Sequence, residues 1–291
     1  MSKKLKFEVY RYQLLPKTQK QQDLFGNRLT PEQLRERKNA ILDDIITEIK
    51  SWKSDRYDLN SEVLHHEEDW YIFRLARKKD IKIETRNFSE QELDKWPRVI
   101  VIINNNPLVQ TICISINTDA FSSTSQVVNI INHNISSKLN SLGLIIEISP
   151  TFYEQDFWSM IKESEGNICS LRFEFISPNM SNISKSLMLD LREARDKYNS
   201  QKTVVEFSVD KNINDASLDI DPSDVEIRDM VDYASEGGGD VSIKTKNGRT
   251  SKMKNNTRKF ELDVDFNSMQ SKLWPQTITN LLNILKSVVK Q

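Results

Sequence analysis

The chain has 291 residues, of which 37% are apolar and 29% are charged, and its formal net charge at pH 7 is −1. This composition excludes a wholly disordered chain, which requires fewer apolar residues and a larger net charge. The longest apolar runs, 99–103 and 143–148, fall far short of the ~20 residues that a membrane-spanning helix requires. The basic start, residues 1–6, is not followed by the apolar run of an export signal. We therefore expect a cytoplasmic protein without membrane insertion.

Several kinds of cofactor site are disfavoured by residue counts alone. Seven glycines leave no room for a glycine-fingerprint nucleotide loop, so the sequence predicts no cofactor. Three histidines and two separated cysteines do not form a common zinc site, so it predicts no metal. Cys113 and Cys169 each lie in an apolar run and are expected to be small buried side chains in a reducing compartment.

Residues 1–95 are predicted to form an N-terminal α+β domain. Thr30 and Pro31 form a helix start signal, and apolar residues at helical spacing follow as far as Trp52. The predicted elements are a strand at 5–15, a helix at 31–53 and strands at 60–66 and 70–77. A polar stretch, 78–95, ends this domain.

Residues 96–178 are predicted to form a central α/β domain, because β-branched runs alternate with amphipathic segments there. The predicted elements are a hairpin of 99–103 and 111–116, a helix at 122–142, a strand at 144–148, a helix at 152–164 and a strand at 168–176.

Residues 179–291 are predicted to form a C-terminal domain. The predicted elements are a helix at 181–198, a strand at 203–209, a short helix at 223–233, a strand pair of 240–246 and 258–266, and a terminal helix at 273–289. The glycine triplet 237–239 precedes a strand rather than a helix, which indicates a tight entry into that strand and not a phosphate loop. The fold class expected for the whole chain is α+β, with mixed sheets and amphipathic helices in two to three subdomains.

The clearest chemical feature is residues 244–259, a stretch with seven cations and no acid. If 240–246 and 258–266 pair, most of these cations crowd onto one hairpin and could bind phosphates, releasing the counterions condensed on a nucleic acid. Two alternatives remain open: the stretch is a solvated loop, or it is neutralised by residues 206–240, which hold eleven acids and two cations. The predicted contacts are Lys244, Lys246, Arg249, Lys252, Lys254, Arg258 and Lys259.

A second basic group could extend this surface into a groove. It comprises Arg74, Arg77, Lys78, Lys79, Lys82 and Arg86, of which the first four are predicted contacts. The alternative is a solvated strand end, which is the commoner role of such a run.

Enzyme chemistry finds little support in the sequence, and no catalytic residue is predicted. Metal-dependent nucleases place an acid-x-lysine step on a strand, whereas Glu48-Ile49-Lys50 falls inside a predicted helix. Residues 65–69, with two histidines and three acids, are expected to form a charged turn rather than a metal site. A cryptic metal-dependent nuclease is kept as an alternative.

Three segments carry a resemblance to known proteins: FSSTSQVVNII (121–131), LRFEFISPNMSNISKSL (171–187) and VDYASEGGGDVSIK (231–244). They resemble an uncharacterised group of bacterial anti-phage defence proteins. The order of elements from 96 to 246 more loosely resembles RexA-type phage-exclusion proteins and the DNA-binding subunit of Kiwa-type systems. The resemblance implies a cytoplasmic, homodimeric, DNA-contacting sensor or effector of antiviral defence and abortive infection. It implies no catalytic residue.

These observations predict a non-catalytic protein that binds nucleic acid, first of all double-stranded DNA, without reading its sequence. The expected partners are nucleic acid, a second copy of the chain and a further subunit encoded in the same defence operon. The alternative is an adaptor subunit, in which the helix at 31–53 or 273–289 docks a protein.

Overall fold

The computed structural model describes residues 4–17, 29–176, 197–198, 200–210, 213, 216–264, 266 and 274–288. The helix predicted at 181–198 falls almost wholly outside these residues. The described helices are α1 Pro31–Thr47, α2 Thr124–Ser141, α3 Glu154–Glu163, α4 Val225–Tyr233 and α5 Trp274–Val288. The described strands are β1 Leu5–Pro16, β2 Leu59–Glu67, β3 Trp70–Arg77, β4 Lys79–Glu84, β5 Glu90–Lys95, β6 Arg98–Asn104, β7 Thr111–Ser115, β8 Leu144–Pro150, β9 Ile168–Ile176, β10 Lys202–Ser208, β11 Gly239–Thr245, β12 Thr250–Lys252 and β13 Lys259–Leu262.

The predicted α+β class is confirmed, and the sheets are antiparallel. One sheet has the strand order β13-β1-β7-β6-β3-β2, with β8 also paired to β1. A four-stranded sheet has the order β10-β9-β11-β12, and β4 and β5 form a two-stranded sheet. No described helix is long and apolar enough to span a lipid bilayer.

The chain divides into two compact units, each assembled from separated segments. Unit 1 comprises residues 1–8, 14–146 and 259–284, and unit 2 comprises residues 9–13, 147–258 and 285–291. Residue 95, the predicted end of the N-terminal domain, lies inside unit 1 because β6 pairs with β3 over seven residues. Residue 178, the other predicted boundary, lies outside the described residues.

In unit 1, helix α1 begins where the sequence predicts. The Thr30 hydroxyl accepts a hydrogen bond from the Gln33 backbone N–H (3.3 Å), and the Gln33 side chain accepts one from the Thr30 N–H (2.9 Å). This capping box satisfies two N–H groups that a helix start otherwise leaves without partners. The helix ends at Thr47, before the predicted 53, and the Trp52 ring is instead buried in a stack on Phe73, 4.8 Å between centroids.

In unit 2, the four-stranded sheet buries one face under α3 and α4. Phe173 and Phe175 stack on that face, with centroids 5.5 Å apart, and Phe157 of α3 lies against them. The Tyr233 hydroxyl at the end of α4 donates to the Ile176 carbonyl, which ties the helix to the end of β9. Because alternate residues of β9 are buried, Ser170, Arg172 and Glu174 lie on the opposite, solvent-facing side.

Candidate nucleic-acid interface

Strands β11 and β12 form a β-hairpin that carries the centre of the basic stretch. Ser242 pairs with Lys252, Ile243 with Ser251, and Lys244 with Thr250. The turn between them is closed by the Thr245 N–H, which donates to the Arg249 carbonyl (2.9 Å). Gly248 has a φ of +82°, and the Asn247 side chain accepts a hydrogen bond from the Arg249 N–H (3.1 Å). Glycine adopts this left-handed conformation without the steric cost that a Cβ would add.

Residues 244–254 are called the cationic hairpin below. Two apolar side chains anchor it in the core of unit 2: Ile243, directly before the hairpin, and Met253, near its end. The cationic side chains between and beside them are exposed, and no acid occurs in the segment. They are Lys244, Lys246, Arg249, Lys252 and Lys254.

One carboxylate of the acidic stretch lies beside the cationic hairpin. Asp240, on β11, accepts hydrogen bonds from the Val241 N–H (2.9 Å) and from the backbone of Lys254. Burial raises the pKa of Asp240, and the positive charges of Lys254 and Lys252 oppose that rise. Among the described residues, no carboxylate forms an ion pair with Lys244, Arg249, Lys252 or Lys254.

A polar groove of about 470 Å³ runs between the cationic hairpin and helix α3. Arg249, Lys252 and two asparagines line one side, and Asp156 and Glu163 of α3 line the other. Because these acids repel phosphate, the groove itself is a poor polyanion site. The favourable surface is the solvent-facing side of the hairpin, where Lys244 and Lys252 lie on alternate, outward positions.

The predicted pairing of 240–246 with 258–266 is wrong. Strand β11 pairs with β12 and β9, whereas β13 pairs with β1 in the register Leu5↔Leu262 to Glu8↔Lys259. Lys259 accordingly belongs to unit 1, where its ammonium lies 3.4 Å from the Glu8 carboxylate. The seven predicted cations therefore do not share one hairpin.

Arg258 is also removed from the predicted surface, because only 4% of it is exposed. Its guanidinium lies 2.9 Å from a Glu236 carboxylate oxygen, and its Nε donates to the Phe152 carbonyl (2.7 Å). The other Glu236 oxygen lies 3.5 Å from the buried guanidinium of Arg11. This Arg11–Glu236–Arg258 cluster belongs to the interior of unit 2.

In the second basic group, Arg74, Lys78, Lys79 and Lys82 each form an ion pair with a carboxylate in unit 1. Arg77 lies over the neutral ring of Tyr57 and keeps its charge, and Arg86 is exposed. Each ion pair with a carboxylate lowers the net positive charge that this group presents to a polyanion. The pairs are Arg74 with Glu62 (3.4 Å), Arg77 with the ring of Tyr57 (4.7 Å), Lys78 with Asp94 (3.0 Å) and Lys79 with Asp119 (3.2 Å).

The glycine triplet forms the tight entry into β11 that the sequence predicts. Gly237 has a φ of +84°, and a Cβ there would lie 2.5 Å from the Cβ of Arg11. A Cβ on Gly239 would lie 2.0 Å from the Glu174 carbonyl oxygen. The triplet therefore lets β11 pack against β9 and the segment before it pack against Arg11.

No group of three or more histidine, cysteine, aspartate or glutamate side chains is placed to hold a metal ion within the described ranges. Glu48, of the acid-x-lysine tripeptide, caps α1 and pairs with Lys138 (2.9 Å). A cavity of about 770 Å³ in unit 2 is mainly apolar and contains none of the predicted site residues.

Sequence reasoning missed two features of this surface. One is the position of Asp240, which the sequence includes only as one of the eleven acids of 206–240 and whose place beside Lys252 and Lys254 depends on strand pairing. The other is the turn at 247–248, for which Asn-Gly was an available signal. Comparisons of the chain with protein-family models, with curated proteins and with solved structures gave no match.

Proposed function

We propose that this protein binds the sugar–phosphate backbone of nucleic acid through the cationic hairpin, and that duplex DNA is its first target. A single observation carries the proposal. Five exposed cations lie within the eleven residues 244–254, and no acid interrupts them. Because the whole chain has a net charge of −1, attraction to a polyanion depends on this local surface.

The chemistry of the hairpin favours contact with phosphates over recognition of bases. Lysine ammonium groups act as adaptable point charges, and Arg249 adds a guanidinium that can bind phosphate oxygens in pairs. Each neutralised phosphate releases condensed counterions, which gives an affinity that depends on salt and not on sequence. A two-stranded ribbon also has a width that the major groove of B-DNA admits.

Substitution of Lys244, Arg249, Lys252 and Lys254 by alanine tests the proposal. We expect weaker binding to two duplexes of unrelated sequence, by a similar factor for both. The slope of log affinity against log salt should become shallower by about 0.9 for each phosphate that the variant no longer neutralises. Fluorescence anisotropy over a salt series measures both quantities, with single-stranded DNA and RNA probes run in parallel.

A matched control removes the same charge from lysines that already form ion pairs: Lys6, Lys78, Lys138 and Lys202, each changed to alanine. This control should retain most of the affinity and salt slope. The proposal fails if the hairpin variant binds as the wild type does, or if both variants lose affinity equally.

The resemblance of 121–131, 171–187 and 231–244 to bacterial defence proteins supports antiviral defence as the biological setting.

A further inference from the structure

Strands β4 and β5, with the connecting residues 85–89, form a two-stranded ribbon in unit 1. In the described structure they pair with each other and with no other strand. Every residue of β5 is exposed, and β4 is exposed or half-buried throughout. Because an isolated two-stranded hairpin is marginally stable in water, this β4–β5 ribbon requires stabilisation from outside its own strands.

The base and tip of the ribbon are held by hydrogen bonds and ion pairs. At the base, Asp119 binds both Lys79 (3.2 Å) and Lys95, which face each other across the strands. At the tip, the Thr85 N–H donates to the Ser89 carbonyl (2.9 Å). The tip also presents Phe88, with a φ of +57° and a side chain that is 100% exposed.

The two faces of the ribbon differ in chemistry. Strand alternation and the register Ile81↔Leu93 and Ile83↔Gln91 put three aliphatic side chains on one face. Ile83 and Leu93 on this face are 38% and 40% exposed. The charged pairs lie on the other face: Asp80↔Asp94, Lys82↔Glu92 and Glu84↔Glu90. Antiparallel strands with this alternation normally have the apolar face covered.

We propose that the apolar face of the β4–β5 ribbon binds the same face of a second copy of this chain about a twofold axis. A contact between identical surfaces brings like charges together, so a self-complementary face must lack a dominant charge. The aliphatic part of the ribbon face meets this condition, because the carboxylates of the ribbon lie on the opposite face. Asp119 offsets one of the two positive charges of the basal lysines. The phosphate backbone is a poorer partner, because residues 79–95 hold five acids and four cations.

The area available predicts a weak, reversible dimer. Six-residue strands in a pair give a face of about 20 Å by 10 Å, and Phe88 adds roughly 150–250 Å² of ring surface. Two copies then bury roughly 700–900 Å², which is below the ~1,200 Å² of a stable interface and within the range of transient ones. The proposed dimer does not depend on nucleic-acid binding. If both occur, dimerisation would make the binding cooperative, because it joins copies bound to the same nucleic acid.

Sedimentation velocity of the full chain over a concentration series tests the proposal without nucleic acid. We expect reversible dimerisation, and Phe88→Ser combined with Leu93→Thr should raise the dissociation constant at least about tenfold, because both copies then bury less apolar area. Two controls should leave it unchanged. Leu108→Ser removes an apolar side chain that is 55% exposed elsewhere in unit 1, and Glu92→Gln changes the opposite ribbon face.

Cross-linking provides a second readout that does not depend on ribbon stability. In a Cys169→Ser background, Leu93→Cys should be joined to its own copy by a short bismaleimide, since facing sheets lie ~10 Å apart. Glu92→Cys, on the charged face, should not be joined. Cys113 is buried and is present in both samples, so any cross-linking through it is the same in both and can be subtracted.

The proposal is overturned by a wild type that stays monomeric throughout the series, by equal cross-linking from positions 92 and 93, or by cross-links within one chain. A Phe88→Ser variant that dimerises normally but binds DNA more weakly would also overturn it, and would identify Phe88 as a nucleic-acid contact. These outcomes are distinct from failure of the cationic hairpin to bind DNA, which this sedimentation experiment does not measure.

Discussion

The guanidinium of Arg258 is buried, and its hydrogen bonds go to protein acceptors. It contacts the Glu236 carboxylate and the Phe152 carbonyl, while Arg11 approaches Glu236 from the other side. Removal of one partner from a buried ion pair leaves the other charge uncompensated, which typically costs about 3–5 kcal/mol.

We therefore expect Arg258→Met to lower the free energy of unfolding by about 3 kcal/mol or more. Lys254→Met, at an exposed position, should change it by less than about 0.5 kcal/mol. Chemical denaturation followed by circular dichroism measures both. Equal stability of the two variants would show that Arg258 is not part of the interior.

Alanine substitutions at Gly237 and Gly248 separate the cost of a left-handed backbone from the cost of steric overlap. Both have a left-handed φ, but a Cβ at Gly248 meets nothing within 4 Å, whereas at Gly237 it meets Arg11 at 2.5 Å. Gly248→Ala should cost about 1–2 kcal/mol from the backbone alone. Gly237→Ala should cost about 1–3 kcal/mol more, because Arg11 must move. Thermal unfolding of the two variants should rank them in this order, and the opposite order would contradict the packing described.

Burial of Lys38 should make the free energy of unfolding depend on pH. It lies on the buried side of α1, and burial lowers its pKa from 10.5 to about 8, with the charge of Arg35 adding to the effect. Below pH 8 both the folded and unfolded states hold the proton, so the folded state carries the whole cost of the buried charge. Between pH 8 and 10.5 only the unfolded state keeps the proton, so stability should rise with pH by about 3 kcal/mol.

The Lys38→Met variant should lack this increment. The difference in unfolding free energy between wild type and variant, measured by urea titration from pH 7.5 to 10.5, should change by about that amount. A constant difference across the range would show that Lys38 titrates at its ordinary pKa in the folded protein.

At the scale of elements, a carboxylate beside the cationic hairpin competes with phosphate for two of its lysines. Asp240 interacts with Lys254 and Lys252, and burial already raises its pKa. A bound phosphate would raise that pKa further, because it adds negative charge and occupies the same lysines. Proton uptake at Asp240 and nucleic-acid binding should therefore favour each other.

We expect DNA affinity to increase as the pH falls from 7.5 toward the raised pKa of Asp240, and Asp240→Asn to bind more tightly at pH 7.5 with a weaker pH dependence. Glu226→Gln, at an exposed position on α4, removes the same charge and should change neither property by as much. Anisotropy at fixed salt measures both variants. Identical behaviour of the two would show that only net charge matters.

How far the sequence predicts these elements depends on whether their determinants are local. The start of α1 follows from its capping residues and the end of β9 from strand periodicity. Both positions in the structure agree with those predicted from the sequence. The partner of β13 could not be found in this way, because Phe260 and Leu262 have the same alternation whichever strand they join. The three-residue strand β12 is too short to give a periodic signal.

The candidate site was predicted in part for the same reason. Residue type identifies Lys252 and Arg258 equally as cations, and only the fold distinguishes the exposed side chain from the buried one. Partners such as Glu236 and Asp119 lie more than twenty residues from at least one of the cations they bind. The ion pair between Lys79 and Asp119 was therefore not visible in local sequence.

At the scale of the whole molecule, unit 2 is not a continuous piece of chain. Residues 9–13 of β1 belong to it, and the Thr151 N–H donates to the Val9 carbonyl (3.0 Å) while the Val9 N–H donates to the Arg258 carbonyl (3.0 Å). Val9 and Tyr12 are fully buried, and Arg11 completes the cluster around Glu236.

A fragment of residues 147–258 should therefore fail to fold, whereas the same fragment joined to residues 5–16 by a flexible linker should recover cooperative unfolding. Hydrogen exchange of β9 and β11 in the two fragments, compared with the full chain, measures the difference. Full protection in the shorter fragment would show that β1 is dispensable to unit 2.

The shared strand β1 has a consequence for biosynthesis. Val9 leaves the ribosome well before Arg258, to which it is bonded, and roughly tens of seconds separate the two at ordinary elongation rates. During that interval the nascent polypeptide carries residues 9–13, which are buried in the folded protein, while Arg258 has not yet been made. Prematurely terminated products would keep this segment uncovered, which makes them natural targets for chaperones and quality-control proteases.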